Sequence, residues 1–360
     1  MTMRGDKIMG KAYSEKLSRP AYENLGELEN LEPLFPEGTE ESLENWNLLR
    51  GKLLGRWKKI LGSPSFSDFS KEVEQVDAFE EPDFYGKVYR QPTGPVTKQL
   101  LLLMEPKNAP VSPRPGAIVP YYHPDEMAGY NLKEHKLILE RKNVQFGLHL
   151  VRQGYVVVCH EAFPYNTVPD PESNEGFAWW KAASKKLLED NPGWTGIGKL
   201  IWDTRLATDF LLNRNDIDKE HIVIIGHSLG GKMAFCTGCL DTRIKAIIAS
   251  DFGIGWKFTN WDTEWYYGKQ IYEKGFTLAH HQLLALHAPR SFLLIGGFAD
   301  RPASWQYINE AKKVYRLYGR ENAVGFFDHA SGHQPTEESV RTAYKWLAEQ
   351  FGLPEKKWEF

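Results

Sequence analysis

The sequence predicts an α/β fold built on a mostly parallel sheet, and three observations carry that expectation. Short apolar runs recur along the chain and alternate with stretches of helical spacing. One such run, His221-Ile222-Val223-Ile224-Ile225, leads directly into Gly226-His227-Ser228-Leu229-Gly230-Gly231 and then a helical run from Lys232 to Cys236. Two later apolar runs each end in residues able to do acid and base work, Asp300 after one and His333 after the other.

The first forty residues are polar, contain Pro20, Pro33 and Pro36, and show little period. They read as an extended arm, packed on the body or on a partner subunit. Over residues 40–61, Trp46, Leu48, Leu49, Leu53, Leu54, Trp57, Ile60 and Leu61 fall near helical spacing. Strands are expected over 84–90 and 98–104, a proline-rich surface loop over 106–115, and a strand over 117–122. A helix is expected from about 132 to 153, then a strand over 155–158. Further strands are expected over 244–249, 291–295 and 323–327. A helix should begin near Ala303, and Pro335 and Thr336 can open a last one. No internal repeat appears. The division expected is an arm and amphipathic helix over 1–75, then one catalytic domain over 76–360 with insertions at 163–200 and 252–276.

A G-x-S-x-G between strand and helix is the pattern of a nucleophile elbow. The serine stands at the tip of a sharp turn, glycines let backbone pass close by, and the new helix aims its first amides at the site. Gly226 to Lys232 also fits G-x-x-x-x-G-K, but Met233 stands where a phosphate loop needs Ser or Thr for magnesium. Lys232 then reads as a solvated residue of the first helical turn.

In this fold class the order is serine, acid, histidine. Ser228 is therefore the expected nucleophile, His333 the general base and then acid, and Asp300 the residue that orients it. Asp251, directly after the strand over 244–249, is the alternative acid, and His329 the alternative base. His227 is read as a packed support of the turn. One oxyanion donor is expected at the Leu229 amide. The other should follow the strand over 117–122, at His123 or Asp125, because Pro124 has no N–H.

Beyond the elbow, the chain carries Asp203-Thr204-Arg205-Leu206-Ala207-Thr208-Asp209-Phe210-Leu211, Asp218 to Ile222 before the elbow strand, and Asp241-Thr242-Arg243-Ile244 after the elbow helix. Gly296 to Asp300, His329 with Gly332 and His333, and Trp346-Leu347 complete the set. With the amphipathic helix closing at Leu61-Gly62, this pattern over roughly residues 45–350 resembles the α/β-hydrolases of the dienelactone-hydrolase and acetyl-xylan-esterase-like kind. The resemblance implies an α/β-hydrolase fold, with a mostly parallel sheet, helices on both faces, aromatic-rich cap insertions and an N-terminal helical extension. It implies a serine hydrolase that cleaves carboxylic esters through an acyl-enzyme, with short-acyl esters, carbohydrate esters among them, as substrates. Lactonase or peptidase action, or a non-catalytic relative binding a ligand through aromatic loops, are the alternatives. Two turns depart from the family. Cys159-His160-Glu161-Ala162 replaces the usual aspartate and glycines, with Glu161 as a structural substitute, and Tyr122-His123-Pro124-Asp125 lacks the small glycines.

The insertions are rich in aromatics: Phe177, Trp179, Trp180 and Trp194 in the first, Trp256, Phe258, Trp261, Trp265, Tyr266, Tyr267 and Tyr272 in the second. Both leave the carboxyl edge of the sheet, where ligands bind in such folds. Tyr122, Trp256 and Trp261 are the candidate substrate contacts, against the alternative that the rings pack a lid on the body. The formal net charge of −3 points away from nucleic acid and acidic membranes. No apolar run is long enough to span a bilayer, and Met1 to Lys7 lacks an apolar signal region. The three cysteines include Cys236-Thr237-Gly238-Cys239, read as packed thiols because no second ligand pair accompanies them. The expectation is a cytoplasmic protein without metal or cofactor, acting on a small-molecule ester, with self-association left open.

Overall fold

The apolar runs assemble, in the computed structural model of the chain, into one nine-stranded sheet; residues 12–107, 113–356 and 358–359 are described. The Met1–Lys7 stretch and half of the proline-rich 106–115 loop lie outside them. The strands are β1 (Glu74–Glu80), β2 (Phe84–Pro92), β3 (Lys98–Pro106), β4 (Arg114–Pro120), β5 (Val156–His160), β6 (Ile217–His227), β7 (Ala246–Ser250), β8 (Ser291–Gly296) and β9 (Val324–Asp328). Their spatial order is β1-β2-β3-β5-β4-β6-β7-β8-β9. β1, β2, β3 and β5 pair antiparallel in succession. From β5 to β9 every pairing is parallel.

A parallel sheet covered on both faces needs apolar residues at consecutive positions, not alternate ones. The central strands show this. Ile118, Ile222 and Ile224 enter the core on one face, while Ala117, Val119, Val223 and Ile225 enter the core on the other. The helices are α1 (Ala12–Leu17), α2 (Leu43–Leu61), α3 (Pro124–Ala128), α4 (Phe146–Arg152), α5 (Pro164–Thr167), α6 (Ala178–Asp190), α7 (Gly196–Leu212), α8 (Leu229–Leu240), α9 (His280–His287), α10 (Trp305–Leu317) and α11 (Glu337–Phe351). Residues of α2 and α6 to α10 fill the first core; those of α1, α3, α4 and α11 fill the second. Among the described residues no helix is long and apolar enough to cross a membrane.

The amphipathic stretch forms α2. Ser42 caps it by accepting the Asn45 N–H, and Trp46, Leu53, Trp57 and Leu61 form its buried face. Trp57 stacks on His280 of α9 with ring centres 6.1 Å apart. From residue 12 onward the arm lies on the body. The Glu349 carboxylate of α11 accepts the Tyr13 and Ser14 amides, Tyr22 Oη donates to Asp328, and Leu34 and Phe35 are buried. The charges after the elbow helix have a structural task as well. Arg243 forks onto Asp241 at the end of α8 and also reaches Asp209 of α7, locking two helices beside β7.

Two elements differ from expectation. The predicted helix over 132–153 exists only as α4. Residues before it form a small hairpin, Tyr130–Asn131 with Lys136–Leu137. Asn131 Oδ1 accepts the amides of Lys133 and Glu134, which turns the backbone locally, and His135 and Arg141 adopt positive φ. β1 was not anticipated, since this edge strand is mostly exposed and charged. Its anchor is Phe79, stacked on Tyr130 at 3.9 Å.

Because α2 shares a core with α9 and the second insertion, it belongs to the cooperative unit. Trp57→Ala is expected to cost about 3–5 kcal/mol of stability, read as a shift in the midpoint of one urea transition. A separate early transition for α2 would contradict this.

Candidate active site

β6 ends at His227 and α8 begins at Leu229, so Ser228 alone makes the turn. Its φ of 54° and ψ of −114° are unfavourable for any residue with a side chain. The glycines make the turn possible. A Cβ on Gly226 would stand 2.2 Å from the Gly230 carbonyl oxygen, and one on Gly230 would stand 2.2 Å from that of Pro120, at the end of β4. Gly231 is pressed against Phe252 and Ser250. The Ser228 N–H donates to Ser250 O of β7 at 2.8 Å. The elbow is thus held between the tips of the two strands that flank β6.

His333, in the loop after β9, directs Nε2 to Ser228 Oγ at 3.0 Å. Its Nδ1 bonds Asp251 Oδ2. With Nδ1 carrying the proton to Asp251, Nε2 is free to accept from the serine. Asp251 follows β7 with φ at 44° and is nearly inaccessible. Its Oδ1 accepts the amides of Gly297, Phe298 and Asp300 at 3.2, 3.1 and 2.9 Å. Burial raises its pKa, but the hydrogen bonds from His333 and these amides outweigh it and hold the carboxyl below its usual range.

The structure therefore replaces Asp300 with Asp251 as the partner of His333. The reason is strand order. β7 is the neighbour of β6, with Ser250 paired to His227, whereas β8 is one strand further out. The Asp300 carboxylate instead accepts the Gly253 and Ile254 amides, both at 2.8 Å, and the Ser304 hydroxyl at 3.0 Å. It fastens the start of the second insertion to the entry of α10. Burial pushes its pKa up to about 7, against the pull of the Ile254 amide, and the charge of Asp251 adds to the rise. His329, the other candidate base, lies against Gly297, its N–H donates to Gly296 O and its Nδ1 meets Ser331 Oγ, so it makes no bond to the serine.

His227 is buried with Nδ1 on Ser250 Oγ at 3.1 Å and its ring 4.6 Å from that of His333. Burial lowers its pKa to about 3, so it stays neutral beside the site. Leu229 is the first residue of α8, so its amide has no acceptor within the helix. The Tyr121 amide is used by His160 O. His123 is the cap residue before α3, and Asp125 lies inside that helix. Glu161 is buried and accepts the Leu100 amide, and burial raises its pKa to about 7.

Three further expectations change. Lys232 is buried, not solvated: Nζ donates to Thr259 Oγ1 and Asn260 Oδ1 and sits 4.0 and 4.3 Å from the ring centres of Trp261 and Tyr266. Burial lowers its pKa to about 7. Trp256 and Trp261, expected as substrate contacts, are buried, and their indole N–H groups are bonded to Leu278 O and Gly253 O. The second insertion is a packed layer around Trp57 and His280. Tyr122 is half-buried at the edge of a surface cleft. Phe298 escaped the sequence reading, although it directly precedes the Ala299-Asp300 pair; it is 69% exposed, with its ring 6.2 Å from that of His333. Cys159, Cys236 and Cys239 are free and buried. Among the described residues no group of three or more His, Cys, Asp or Glu could hold a metal ion.

The sheet order and a serine elbow facing a histidine held by a carboxylate define an α/β-hydrolase, and the chain belongs to that family. The Abhydrolase family matches residues 79–256, and the Prolyl oligopeptidase family matches residues 198–353. A putative hydrolase of Bacillus subtilis (strain 168), YtaP, is 32% identical over 219 residues, which are 57% of this chain and 70% of that protein. Carbohydrate esterase MZ0003, from an unknown prokaryotic organism, is 24% identical over 174 residues, 42% of this chain and 40% of that protein. Among solved structures, a glucuronoyl esterase from Solibacter usitatus has a TM-score of 0.67 at 18% identity, covering 93% of this chain and 99% of that one. A putative acetyl xylan esterase from Bacteroides fragilis has a TM-score of 0.63 at 19% identity, covering 84% and 80%. At these identities the structural likeness establishes the fold.

Two outcomes are expected. Asp251→Asn should lower kcat by about 10⁴, as the equivalent change does in a serine protease, while Asp300→Asn should lose far less; assay of both with p-nitrophenyl acetate separates them. Asp300 also predicts a pH signature. Its folded pKa lies above the unfolded value, so its contribution is complete below the unfolded value and is lost as pH rises through about 7. Between about pH 4 and pH 8 the wild type should lose stability relative to Asp300→Asn, read from urea midpoints. Parallel pH curves would remove Asp300 as the source.

Proposed function

We propose that the chain is a serine carboxylic-ester hydrolase that works through an acyl-enzyme. The observation that carries this is the continuous hydrogen-bonded path from Ser228 Oγ through His333 to Asp251, set on a strained elbow. His333 Nε2 takes the hydroxyl proton as Oγ bonds to the ester carbonyl carbon, and the carbonyl oxygen becomes an oxyanion. The Leu229 amide and an amide of the turn after β4, at His123, are its donors. Collapse of the intermediate breaks the bond to the alcohol oxygen, which leaves with the proton from His333. Water then repeats the sequence, with His333 as base, and releases the acid and free Ser228. Asp251, ionised and buried, steadies the imidazolium that forms at each stage.

The likeness to a carbohydrate esterase and to a putative acetyl xylan esterase supports acyl esters on carbohydrates as substrates. A peptidase reading has one observation in its favour, the match of residues 198–353 to the Prolyl oligopeptidase family.

A fluorophosphonate should label Ser228 alone, identified by mass spectrometry of the modified peptide, and Ser228→Ala should lower kcat by roughly 10⁶ with the fold retained. Hydrolysis of acetylated sugars with inert peptide substrates decides for the esterase. A folded protein that neither labels nor turns over an ester would defeat this assignment.

A further inference from the structure

A cleft of about 420 Å³ opens between the turn after β4 and the first insertion. Its inner edge is Tyr122. The preceding residues pack against the elbow, since Gly230 lies against the Pro120 carbonyl and the Tyr121 ring. The cleft therefore begins at the turn that flanks Ser228 on the β4 side.

Its aromatic walls are held in place. Trp179 donates its indole N–H to Val168 O at 3.0 Å and meets Tyr165 edge-on at 4.7 Å. Tyr165 lies over the His123 ring at 4.0 Å. Tyr122 is braced edge-on by the buried Trp180 at 5.9 Å. Such rings keep their positions without a ligand, so little order has to be gained on binding. Asp170 and Glu175 stand on the outer rim, and among the described residues no basic side chain lines the cleft. The Asp170 carboxylate is set by the Glu172 amide, at 2.9 Å. Lys232, the cation of the elbow helix, is committed to Thr259 and Asn260. Trp256, Trp261, Trp265, Tyr266 and Tyr267 of the second insertion are buried, and the aromatic rings that line the cleft are Tyr122 and those of the first insertion.

We infer that this cleft is the subsite for a neutral sugar ring whose acyl ester reaches Ser228, an inference that rests on the ester-hydrolase reading of that serine. Sugar C–H faces lie on Trp179 and Tyr165, where apolar surface meets ring faces. Sugar hydroxyls donate to Asp170, set by the Glu172 amide, and to Glu175, whose carboxylate lies 3.6 Å from the Lys181 ammonium, as charge-assisted bonds. The same carboxylates disfavour a sugar that carries its own free carboxylate, because like charges at a shared site repel.

The test compares kcat/KM on an acetylated neutral xylo-oligosaccharide, on the same oligosaccharide bearing a free glucuronate, and on p-nitrophenyl acetate. Trp179→Ala should lower the ratio of neutral sugar ester to p-nitrophenyl acetate by roughly tenfold, the scale of a lost aromatic contact, with the loss in KM. Trp179→Phe should recover most of it. Wild type should favour the neutral sugar over the glucuronate-bearing one, and Asp170→Asn with Glu175→Gln should erase that preference. An unchanged ratio in Trp179→Ala, or a wild-type preference for the glucuronate-bearing ester, overturns the subsite. In either case turnover of p-nitrophenyl acetate, with fluorophosphonate labelling of Ser228, leaves the hydrolase reading standing. Absence of both removes that reading and the subsite with it.

Discussion

The carboxylate of Asp251 is the point on which the site depends. One oxygen gathers three amides from the turn after β8; the other holds His333 from the loop after β9. Three strand ends are thereby tied to one buried charge. A carboxylate removed from water needs several donors to remain ionised, and the turn from Gly297 to Asp300 supplies them. The group that keeps the imidazole oriented is thus also the group that shapes the far rim of the site. The backbone shares in this, since the Asp251 N–H donates to Ile295 O and the Ser228 N–H to Ser250 O.

Asp300 and Lys232 are buried ionisable groups with a different task. Asp300 anchors the first amides of the second insertion, and Lys232 anchors its middle through Thr259, Asn260 and the faces of two rings. Together they press this aromatic layer onto α8, the helix that begins beside Ser228. Trp57 of α2 closes the same layer from outside. A serine held at unfavourable φ needs surroundings that do not relax, and the packed insertion provides them. The first insertion leaves Tyr165, Phe177 and Trp179 partly exposed at the cleft. The two insertions, alike in composition, therefore divide into support and access.

Much of this was legible beforehand, for identifiable reasons. The elbow was legible because the close approaches of Gly226, Gly230 and Gly231 admit no side chain, so chemistry and sterics write the same letters. The central strands were legible because burial on both faces demands unbroken apolar runs. β1 was not, because this mostly exposed edge strand carries no such run. The helix expected before Tyr155 shortened because the backbone takes positive φ at His135 and Arg141, which a right-handed helix does not accommodate. Trp256 and Trp261 read as a binding surface since composition does not say whether a ring faces solvent or a neighbouring helix.

The choice of acid marks the boundary most clearly. By itself the sequence determined that a serine, a histidine and one of two aspartates sit at the carboxyl ends of strands in a parallel sheet. Those facts follow from local pattern: apolar runs, turns and chain order. Which aspartate meets His333 depends on which strand lies beside β6, and on where the amides of the Gly296–Asp300 turn point. Both are set by strand pairing between segments far apart in the chain. The same holds for Lys232, whose charge is written in the sequence but whose burial is decided by residues 27 to 34 positions away folding over it. Local chemistry names the reacting groups; only the packed sheet and its insertions choose their partners.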